Sequence, residues 1–501
     1  MTYGLILADH WNQFNDRRDG IRRNFQAHSS AKFLREHGIA IDVIDFWHDF
    51  TIIELEKILL NLKNKNPLFI AICASMDKKY NEWNALQSLI NNLLPSTKII
   101  IYGERTIRLG YQNADIYIEG YPETALLHAV RYFSNEVDSI KSVLLDGQTL
   151  VDANTDYPND YQSNSFGSRF LDSDFVDRNE FYGISFSKGC IFKCAFCNHS
   201  SIGVRKHQFE RTRQSIMDEF LYAYNVLGIT KFSIHDSTFN DSEEKTEILL
   251  DIVKQIPEKL QILCFLRPDL LYRQPGLLDK LVSAGVVAVH FGIDTLNRET
   301  GKIVGKLIDP DVLKTYLKDV RQQYPDLYMF GTFIIGLPAD TKDHQQQAFE
   351  WLNNEKILDT WHWFPLSIKQ DNGYREVMSP IDQSYSKFGY TQNHKKIQFS
   401  DSGRGYRDKN LNALNWENDQ FSLKEAIALS ATLNQKSISN AKGCNPWVLF
   451  NRAVVHQDIR YWLDYHPESD HSGNLPDMYH KTQQFVDLYK HRKISYFEMN
   501  L

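Results

Sequence analysis

Short apolar runs alternate along the first part of the chain with segments whose apolar residues recur every three or four positions. A short apolar run is typical of a buried β-strand, whereas the longer period is typical of a helix with one buried face. Strands that alternate with helices in this way predict a parallel, doubly wound sheet over residues 1–140. The predicted strands are Tyr3 to Ala8, Ile41 to Ile44, Leu68 to Ala74, Lys98 to Tyr102 and a last one that begins at Asp115.

The alternation resumes in residues 179–398. Six strands with five intervening helices are typical of a β/α barrel or of a part of one, in which the working residues lie at the C-terminal strand ends. The predicted strands are Tyr182 to Ser187, Thr230 to His235, Leu260 to Leu266, Val286 to Ile293, Leu327 to Ile335 and Trp361 to Leu366. The predicted helices are Arg213 to Leu227, Glu243 to Lys254, Gly276 to Ala284, Asp309 to Gln323 and Thr341 to Asn354.

Two segments depart from the alternation. Residues 141–178 are polar, with a hairpin-turn signal at Asp146-Gly147, and we interpret them as a linker between domains. The alternation stops again near residue 399, after which a helical pattern runs from Leu423 to Ser437. We predict that residues 399–501 form a mostly helical cap, or substrate domain, over the barrel mouth.

Composition narrows the class of protein. A chain of 501 residues with 42% hydrophobic content predicts a folded protein of two or three domains, and the net charge of −7 argues against bulk nucleic-acid binding. Without an apolar run of membrane length or a signal peptide, we expect a cytoplasmic protein. An arginine cluster in the first predicted loop is ordinarily solvated, with an anionic ligand as the alternative. It comprises Arg17, Arg18, Arg22 and Arg23.

Three of the six cysteines, Cys190, Cys194 and Cys197, lie in the C-x3-C-x2-C segment that follows the first predicted barrel strand. Such a loop can direct three thiolates at one point, which suits a [4Fe-4S] cluster whose fourth iron has no protein ligand. The alternative is a structural zinc site completed by His199. With Phe196 before the last cysteine, the segment resembles the cluster loop of the radical S-adenosylmethionine (SAM) superfamily.

The resemblance implies the partial (β/α)6 barrel of that superfamily, a [4Fe-4S] cluster and bound SAM, which the cluster cleaves to a 5′-deoxyadenosyl radical. It also implies SAM contacts at the ends of successive strands. An N-cap, an ion pair and a plain turn are the structural alternatives for Asp236, Arg267 and Gly336-Leu337-Pro338. The implied SAM-binding residues are Phe196, Asp236, Ser237, Arg267, Asp294, Gly336 and Leu337.

Residues 1–140 resemble the Rossmann-like domain that binds cobalamin in many radical SAM proteins, most clearly in the turn from Gly120 to Thr124. The D-x-H-x-x-G motif of another cobalamin class is absent, although radical SAM members commonly lack it. The alternative is a domain that recognises a substrate or a partner without a corrin. The implied cobalamin-binding residues are Asp9, Ser75, Gly103, Glu104, Gly120, Tyr121, Glu123 and Thr124.

The cysteine count excludes branches of the superfamily that carry further clusters, since only Cys73, Cys264 and Cys444 remain. The layout is similar to the cobalamin-dependent branch, which implies C-methylation initiated by a substrate radical and an electron donor such as flavodoxin or ferredoxin. One alternative is a cobalamin-independent rearrangement, epimerisation or dehydrogenation. Another is a zinc-stabilised binding protein without catalysis. Cys444 is a candidate hydrogen donor, with an inert thiol as the ordinary interpretation.

Overall fold

The computed structural model describes most of the chain and divides it into two compact units. The first unit comprises Met1–Ile184, His207–Ile229 and Pro476–Leu501, and the second comprises Ser185–Lys206 and Thr230–Leu475. The described residues are 2–8, 23–74, 80–103, 113–145, 147–162, 166–198, 209–369, 378–394, 414–436 and 475–499.

The first unit contains a seven-stranded sheet in the order β2-β1-β3-β4-β5-β7-β6. All neighbours pair in parallel except β6 and β7. The strand order reverses at β1, which is the topological switch point where doubly wound sheets bind ligands. The strands are β1 (Tyr3–Ala8), β2 (Ala40–Asp45), β3 (Phe69–Cys73), β4 (Lys98–Gly103), β5 (Ile116–Glu119), β6 (Val143–Leu145) and β7 (Gln148–Asp152).

Helices cover this sheet, and local sequence signals start them. The Asn24 side chain accepts hydrogen bonds from the first-turn amides of α1, and Thr51 and Glu54 form a capping box at α2. Every residue of β1 and β3 is buried, as expected for central strands covered on both faces. The helices of this unit are α1 (Phe25–Glu36), α2 (Ile52–Leu62), α3 (Tyr80–Leu93), α4 (Glu123–Phe133), α5 (Ala153–Asp156), α6 (Arg213–Asn225) and a C-terminal helix (Leu475–Met499).

The segment predicted to be a linker contributes two further strands, β6 and β7, to the first sheet. Gly147 has a φ of +76°, the left-handed conformation that the predicted hairpin turn requires. β7 then pairs in parallel with β5, from Tyr117 opposite Leu150 to Glu119 opposite Asp152. The hairpin was predicted from its turn, but its place in the sheet depends on pairing with a strand about thirty residues earlier.

The second sheet has six strands in the sequential order β13-β12-β11-β10-β9-β8, and β9 to β13 pair in parallel. This confirms the predicted α/β class, with a doubly wound sheet followed by a partial (β/α)6 barrel. The strands are β8 (Tyr182–Ile184), β9 (Lys231–Ile234), β10 (Gln261–Leu266), β11 (Val286–Asp294), β12 (Tyr328–Ile335) and β13 (Thr360–Pro365). The helices from β9 to β13 are α7 (Glu243–Val253), α8 (Pro268–Arg273), α9 (Leu277–Ser283), α10 (Arg298–Val304), α11 (Pro310–Gln323) and α12 (Lys342–Glu355).

The chain after β13 adds α13 (Pro380–Gln383), a two-stranded ribbon of β14 (Thr391–Gln392) and β15 (Trp416–Glu417), and α14 (Leu423–Lys436). α14 packs on the edge strand β13. Asn434 accepts a hydrogen bond from the Trp363 amide at 2.9 Å and donates one to the Trp363 carbonyl at 2.9 Å, and Ser430 donates to the same carbonyl. α14 thus satisfies a backbone amide and carbonyl of the edge strand, which could otherwise pair with another chain.

The C-terminal helix, α15 (Leu475–Met499), belongs to the first unit. Its Tyr489 hydroxyl accepts a hydrogen bond from the Asp45 amide at 2.9 Å, and its Lys493 ammonium contacts the Asp174 carboxylate at 3.2 Å. This differs from the prediction of a cap over the barrel formed by residues 399–501. The described part of that region therefore serves both units, α14 in the second and α15 in the first.

Candidate active site

The three clustered cysteines lie on the loop that follows β8. The Cys194 carbonyl accepts a hydrogen bond from the Cys197 amide at 3.0 Å, so the end of the loop is a tight turn. Cys194 is buried, whereas Cys190 and Cys197 are half-buried, as is Phe196. The loop presents three thiols from eight consecutive residues, as its spacing predicts.

Backbone hydrogen bonds to segments distant in sequence fix this loop. The Ala195 amide donates to the Val304 carbonyl at 3.1 Å, and the Ala195 carbonyl accepts from the Ile381 amide at 2.9 Å. Gly305, just beyond α10, lies against the Cys194 Cα. The end of α10 and the start of α13 therefore fix the loop from two directions before any cofactor binds.

Two cationic side chains are near Cys194. The Arg267 Nη1 lies 3.6 Å from the Cys194 Sγ, and the Lys306 Nζ lies 2.6 Å from the Asp294 carboxylate and 2.8 Å from the Gly292 carbonyl. Burial raises the pKa of the Cys194 thiol, while Lys306 and Arg267 act in the opposite direction. The two cations thus favour a thiolate at a buried position, which is the form that binds iron.

Within the described residues, no three His, Cys, Asp or Glu side chains converge as ligands of one metal ion. In a [4Fe-4S] cluster each cysteine binds a different iron. A loop with three thiols and two cations near Cys194 fits such a cluster. His199, the fourth ligand of the zinc alternative, lies outside the described residues.

Asp236, which the resemblance assigns to SAM, is fully buried after β9. Its carboxylate accepts hydrogen bonds from the Phe186 and Ser187 amides at 2.7 and 3.1 Å and from the Ser187 hydroxyl at 2.8 Å. Lys245 of α7 lies 2.8 Å from it. Asp236 therefore organises the backbone that enters the cysteine loop, and a direct contact with SAM stays a prediction, as it does for the half-buried Ser237.

Asp294 terminates β11 in an irregular conformation. The pairing of β11 with β12 shifts register between Gly292 and Asp294, and Asp294 has a φ of +65°. Aspartate is one of the few non-glycine residues that tolerates this left-handed region. The irregularity lets Lys306 contact both the Asp294 carboxylate and the Gly292 carbonyl. One strand end thus holds a cation beside the cysteine loop.

Gly336 and Leu337, the predicted adenine-binding segment, follow β12. Gly336 has a φ of +88°, its carbonyl accepts a hydrogen bond from the Tyr390 hydroxyl at 2.7 Å, and Leu337 is fully buried. A Cβ atom at Gly336 would overlap the Trp416 ring. The segment is therefore clamped by two aromatic residues from the chain beyond β13, which the sequence patterns did not reveal.

Replacing Gly336 with alanine is expected to lower the free energy of unfolding by about 3 kcal/mol, from overpacking against Trp416 and from left-handed strain. Gly389 is the matched control. It has a φ of +85°, but no atom lies within 4 Å of the position that an added methyl group would take. Gly389→Ala therefore incurs only the backbone strain, about 1–2 kcal/mol. Urea denaturation of both variants measures the difference, and equal losses would contradict a clash with Trp416.

Asp340 is a site residue that the sequence reasoning missed. Its buried carboxylate accepts hydrogen bonds from the Gly336 amide at 3.1 Å and from Gln345 at 2.7 Å, and Trp363 donates to the same Gln345 side chain at 2.8 Å. Burial raises the pKa of Asp340 to about 6, although these hydrogen bonds oppose the rise. An acid two residues after the Gly-Leu-Pro turn is the only local signal that marked it.

Because the pKa of Asp340 is raised on folding, its contribution to stability is present below about pH 4 and is lost as the pH rises through about 6. Asp340→Asn removes this titration. From pH 4 to pH 7.5, we expect the unfolding free energy of the variant to rise by about 2–3 kcal/mol relative to that of the wild type. Urea denaturation across that range checks the sign. A difference independent of pH would contradict the raised pKa.

Glu123 and Thr124, predicted to contact cobalamin, begin α4 of the first unit. The buried Glu123 carboxylate accepts hydrogen bonds from Ser29 at 2.8 Å and from Asn159 at 2.7 Å. The Thr124 hydroxyl and amide both donate to the side-chain oxygen of Asn159. Both residues thus connect α4 to α1 and to the segment after β7, and contact with a corrin stays a prediction.

Gly120 and Tyr121 lie at the end of β5. Gly120 has a φ of +110°, and a side chain there would collide with Asn154 of α5, whose side-chain oxygen accepts a hydrogen bond from the Tyr121 amide at 3.0 Å. Gly103 ends β4, at the same edge of the parallel sheet. The residues predicted for this unit that fall outside the described part are Asp9, Ser75 and Glu104, and Cys444 is likewise outside it.

Comparison with known proteins identifies one domain of the chain. Residues 184–352, which contain the cysteine loop and the strands from β9 to β12, match the family model of the radical SAM superfamily. Residues 184–352 therefore form a radical SAM domain. A radical SAM domain implies a [4Fe-4S] cluster and SAM, and the loop of Cys190, Cys194 and Cys197 fits such a cluster. No curated protein matches the chain.

Solved radical SAM structures share the fold beyond this domain. A radical SAM methyltransferase, TsrM from Kitasatospora setae, solved with tryptophan substrate and a SAM analogue, superposes with a TM-score of 0.60 at 14% identity, covering 79% of each chain. OxsB, a cobalamin-dependent radical SAM enzyme solved with aqua-cobalamin and SAM, has a TM-score of 0.60 at 14% identity, covering 96% of this chain and 75% of its own. These likenesses show the fold, including the N-terminal domain. No helix in the described part of the chain is long and apolar enough to cross a membrane.

Proposed function

We propose that this radical SAM protein is an enzyme that initiates radical chemistry on a substrate carbon and, with cobalamin in its first unit, transfers a methyl group to it. The observation that carries the proposal is the loop of Cys190, Cys194 and Cys197, fixed by backbone contacts at the C-terminal strand ends of a partial barrel. Bound there, the cluster would supply the electron that cleaves SAM to methionine and a 5′-deoxyadenosyl radical.

The residues of the second unit have separate roles in this proposal. The three cysteines hold the cluster, and Asp236 positions the strand that leads into their loop through its bonds to the Phe186 and Ser187 amides. Gly336 and Leu337 present a rigid backbone edge to the adenine of SAM, since Tyr390 and Trp416 clamp that segment. Rigid contacts of this kind orient a reactant without ordering cost at the moment of reaction.

The cobalamin part of the proposal depends on the first unit. Its sheet has the doubly wound order with a switch point at β1, where ligands of such sheets bind. Bound cobalamin would supply the methyl group. The similar structure of TsrM was solved with cobalamin and a [4Fe-4S] cluster, and it is described as a methyltransferase. An external one-electron donor such as flavodoxin or ferredoxin would complete the cycle, and we propose a cytoplasmic setting for it.

A second candidate is radical chemistry without cobalamin, such as a rearrangement, an epimerisation or a dehydrogenation. One observation favours it. The Glu123 and Thr124 side chains, which the resemblance assigns to the corrin, are engaged by Ser29 and Asn159 inside the first unit. In that case the first unit would recognise a substrate or a partner.

Metal analysis of the anaerobically reconstituted protein tests both candidates. The protein is offered iron, sulfide and hydroxocobalamin, then gel-filtered, and iron and cobalt are counted per chain. About four irons and about one cobalt would support the cobalamin-dependent enzyme. The same iron without cobalt would favour the second candidate, and one zinc without iron would overturn both in favour of a zinc-stabilised binding protein.

A further inference from the structure

Arg267 contacts the cysteine loop directly, at Cys194 and at Phe192. It is the first residue after β10 and is only 6% exposed. A single side chain, Asn240, fixes its backbone on both sides, accepting a hydrogen bond from the Arg267 amide and donating one to the Arg267 carbonyl, each at 2.9 Å. Since Asn240 is itself fully buried, the starting point of the arginine side chain is rigid.

The guanidinium is held on three sides. Its Nε and Nη2 donate to the two oxygens of Asp269 at 3.0 and 2.8 Å, which is the bidentate geometry that only arginine forms. Its Cζ lies 4.1 Å from the centre of the Phe192 ring, in the same loop as the cysteines. The remaining nitrogen, Nη1, points at the Cys194 Sγ at 3.6 Å. One edge of the guanidinium is thus paired with a carboxylate, and the other is directed at a sulfur.

We propose that Arg267 is a positioning residue that donates a hydrogen bond to the cluster-ligating sulfur of Cys194 and thereby sets the reduction potential of the cluster. The proposal rests on the proposed function, because it requires the cluster. It assigns to Arg267 a role toward the cluster's sulfur ligand instead of, or in addition to, a role toward SAM.

The physical reason lies in the charge distribution. Hydrogen bonds to the sulfurs, net charge and solvent exposure set the potential of an iron–sulfur cluster. Asp269 neutralises the charge of Arg267, so that the pair contributes little net charge to the cluster. What remains is the directed N–H group, which stabilises the more negative, reduced cluster. Removing it makes the cluster harder to reduce.

A variant of Lys306 separates the effect of charge on the reduction potential from the effect of the hydrogen bond. Lys306 is also a cation near Cys194, but Asp294 and the Gly292 carbonyl engage its ammonium. Lys306→Met therefore removes a charge beside the loop, while Arg267→Met removes a charge together with the N–H···S contact. Arg267→Lys keeps the charge but lacks the fork that Asp269 holds. Arg321 lies on α11 and pairs with Asp359. Arg321→Met therefore provides an arginine variant remote from the loop in sequence and in its contacts.

The experiment is an EPR-monitored redox titration of the reconstituted full-length protein and these variants, with dithionite as reductant and with iron and sulfide counted in each sample. In Arg267→Met and Arg267→Lys, we expect the ratio of reduced to oxidised cluster at the wild-type midpoint potential to fall at least tenfold, which corresponds to about 59 mV for a one-electron couple. Lys306→Met should shift the ratio less, and Arg321→Met should leave it unchanged.

A wild-type potential in Arg267→Met would overturn the proposal, and a wild-type potential in Arg267→Lys would show that charge, not the directed hydrogen bond, is what matters. If both Arg267 variants lose the cluster while Arg321→Met keeps it, Arg267 retains the cluster instead of tuning it, and the proposal is wrong. A wild-type protein that takes up no iron and sulfide would instead refute the proposed function. The metal count therefore distinguishes the two failures.

Discussion

Cys194→Ala is expected to reduce both cluster content and SAM cleavage to background. Cys194 is the most buried of the three cysteines, and backbone hydrogen bonds to Val304 and Ile381 fix its loop. With two cysteines left, the cluster lacks a protein ligand at a second iron. Iron and sulfide per chain, the visible absorbance of the cluster, and the 5′-deoxyadenosine released from SAM under reducing conditions measure the loss.

Cys264→Ala is the matched control for this prediction. Cys264 lies in β10, is fully buried, and has a thiol whose pKa is raised by burial, as befits an inert core residue. Its replacement should leave iron, sulfide and SAM cleavage near the wild-type level at a modest cost in stability. SAM cleavage that persists in Cys194→Ala, or that is lost equally in both variants, would refute the assignment of Cys194 to the cluster.

Lys493→Met is expected to lower the free energy of unfolding by about 3–5 kcal/mol. The Lys493 ammonium has no exposed surface and donates to the Ser173 carbonyl at 2.8 Å and to the Asp174 carboxylate at 3.2 Å. Burial opposes the ionisation of Asp174, and Lys493 helps to hold its pKa below the usual value. Without Lys493, the buried carboxylate loses its nearest cation, which is the situation that costs most in a protein interior.

Lys490→Met is the control on the same helix. Lys490 pairs with Glu54 at 2.9 Å, but both side chains reach solvent, and an ion pair of this kind contributes about 1 kcal/mol or less. Urea denaturation of both variants at pH 7 gives the comparison. The loss in Lys493→Met should shrink toward pH 4, where Asp174 in the variant becomes protonated. Equal losses in the two variants would contradict the importance of the buried pair.

Arg23 shows how burial changed the interpretation of a sequence feature. The sequence placed it in a basic cluster that is ordinarily solvated. In the structure it is buried, donating to Asp45 at 2.6 Å and to Glu180 at 2.7 and 3.0 Å. Burial alone would raise the pKa of Asp45, but His28 and Arg23 hold it below its usual value. A charged residue far from its partners in sequence carries no local sign of being paired.

Much of the fold was predictable because its signals are local. The apolar runs became β1 to β5 and β8 to β13 with ends displaced by a few residues, and Asn24 and Thr51 began helices where capping residues are expected. These patterns reflect which positions of a short segment are buried and which are exposed to water, and neighbouring residues suffice to show it. The pairing of β7 with β5 and the position of α15 could not be predicted in the same way, since they depend on contacts between distant segments.

The amino-acid sequence by itself determined the alternating architecture and the cysteine loop, because hydrophobic period and ligand spacing are both properties of short segments. Only the tertiary structure decided what surrounds that loop. Arg267 reaches Cys194 across 73 positions, Asn240 fixes Arg267 across 27, and Tyr390 clamps Gly336 across 54. Such pairs form where strand ends converge, and their energies depend on burial and direction, which no single segment encodes.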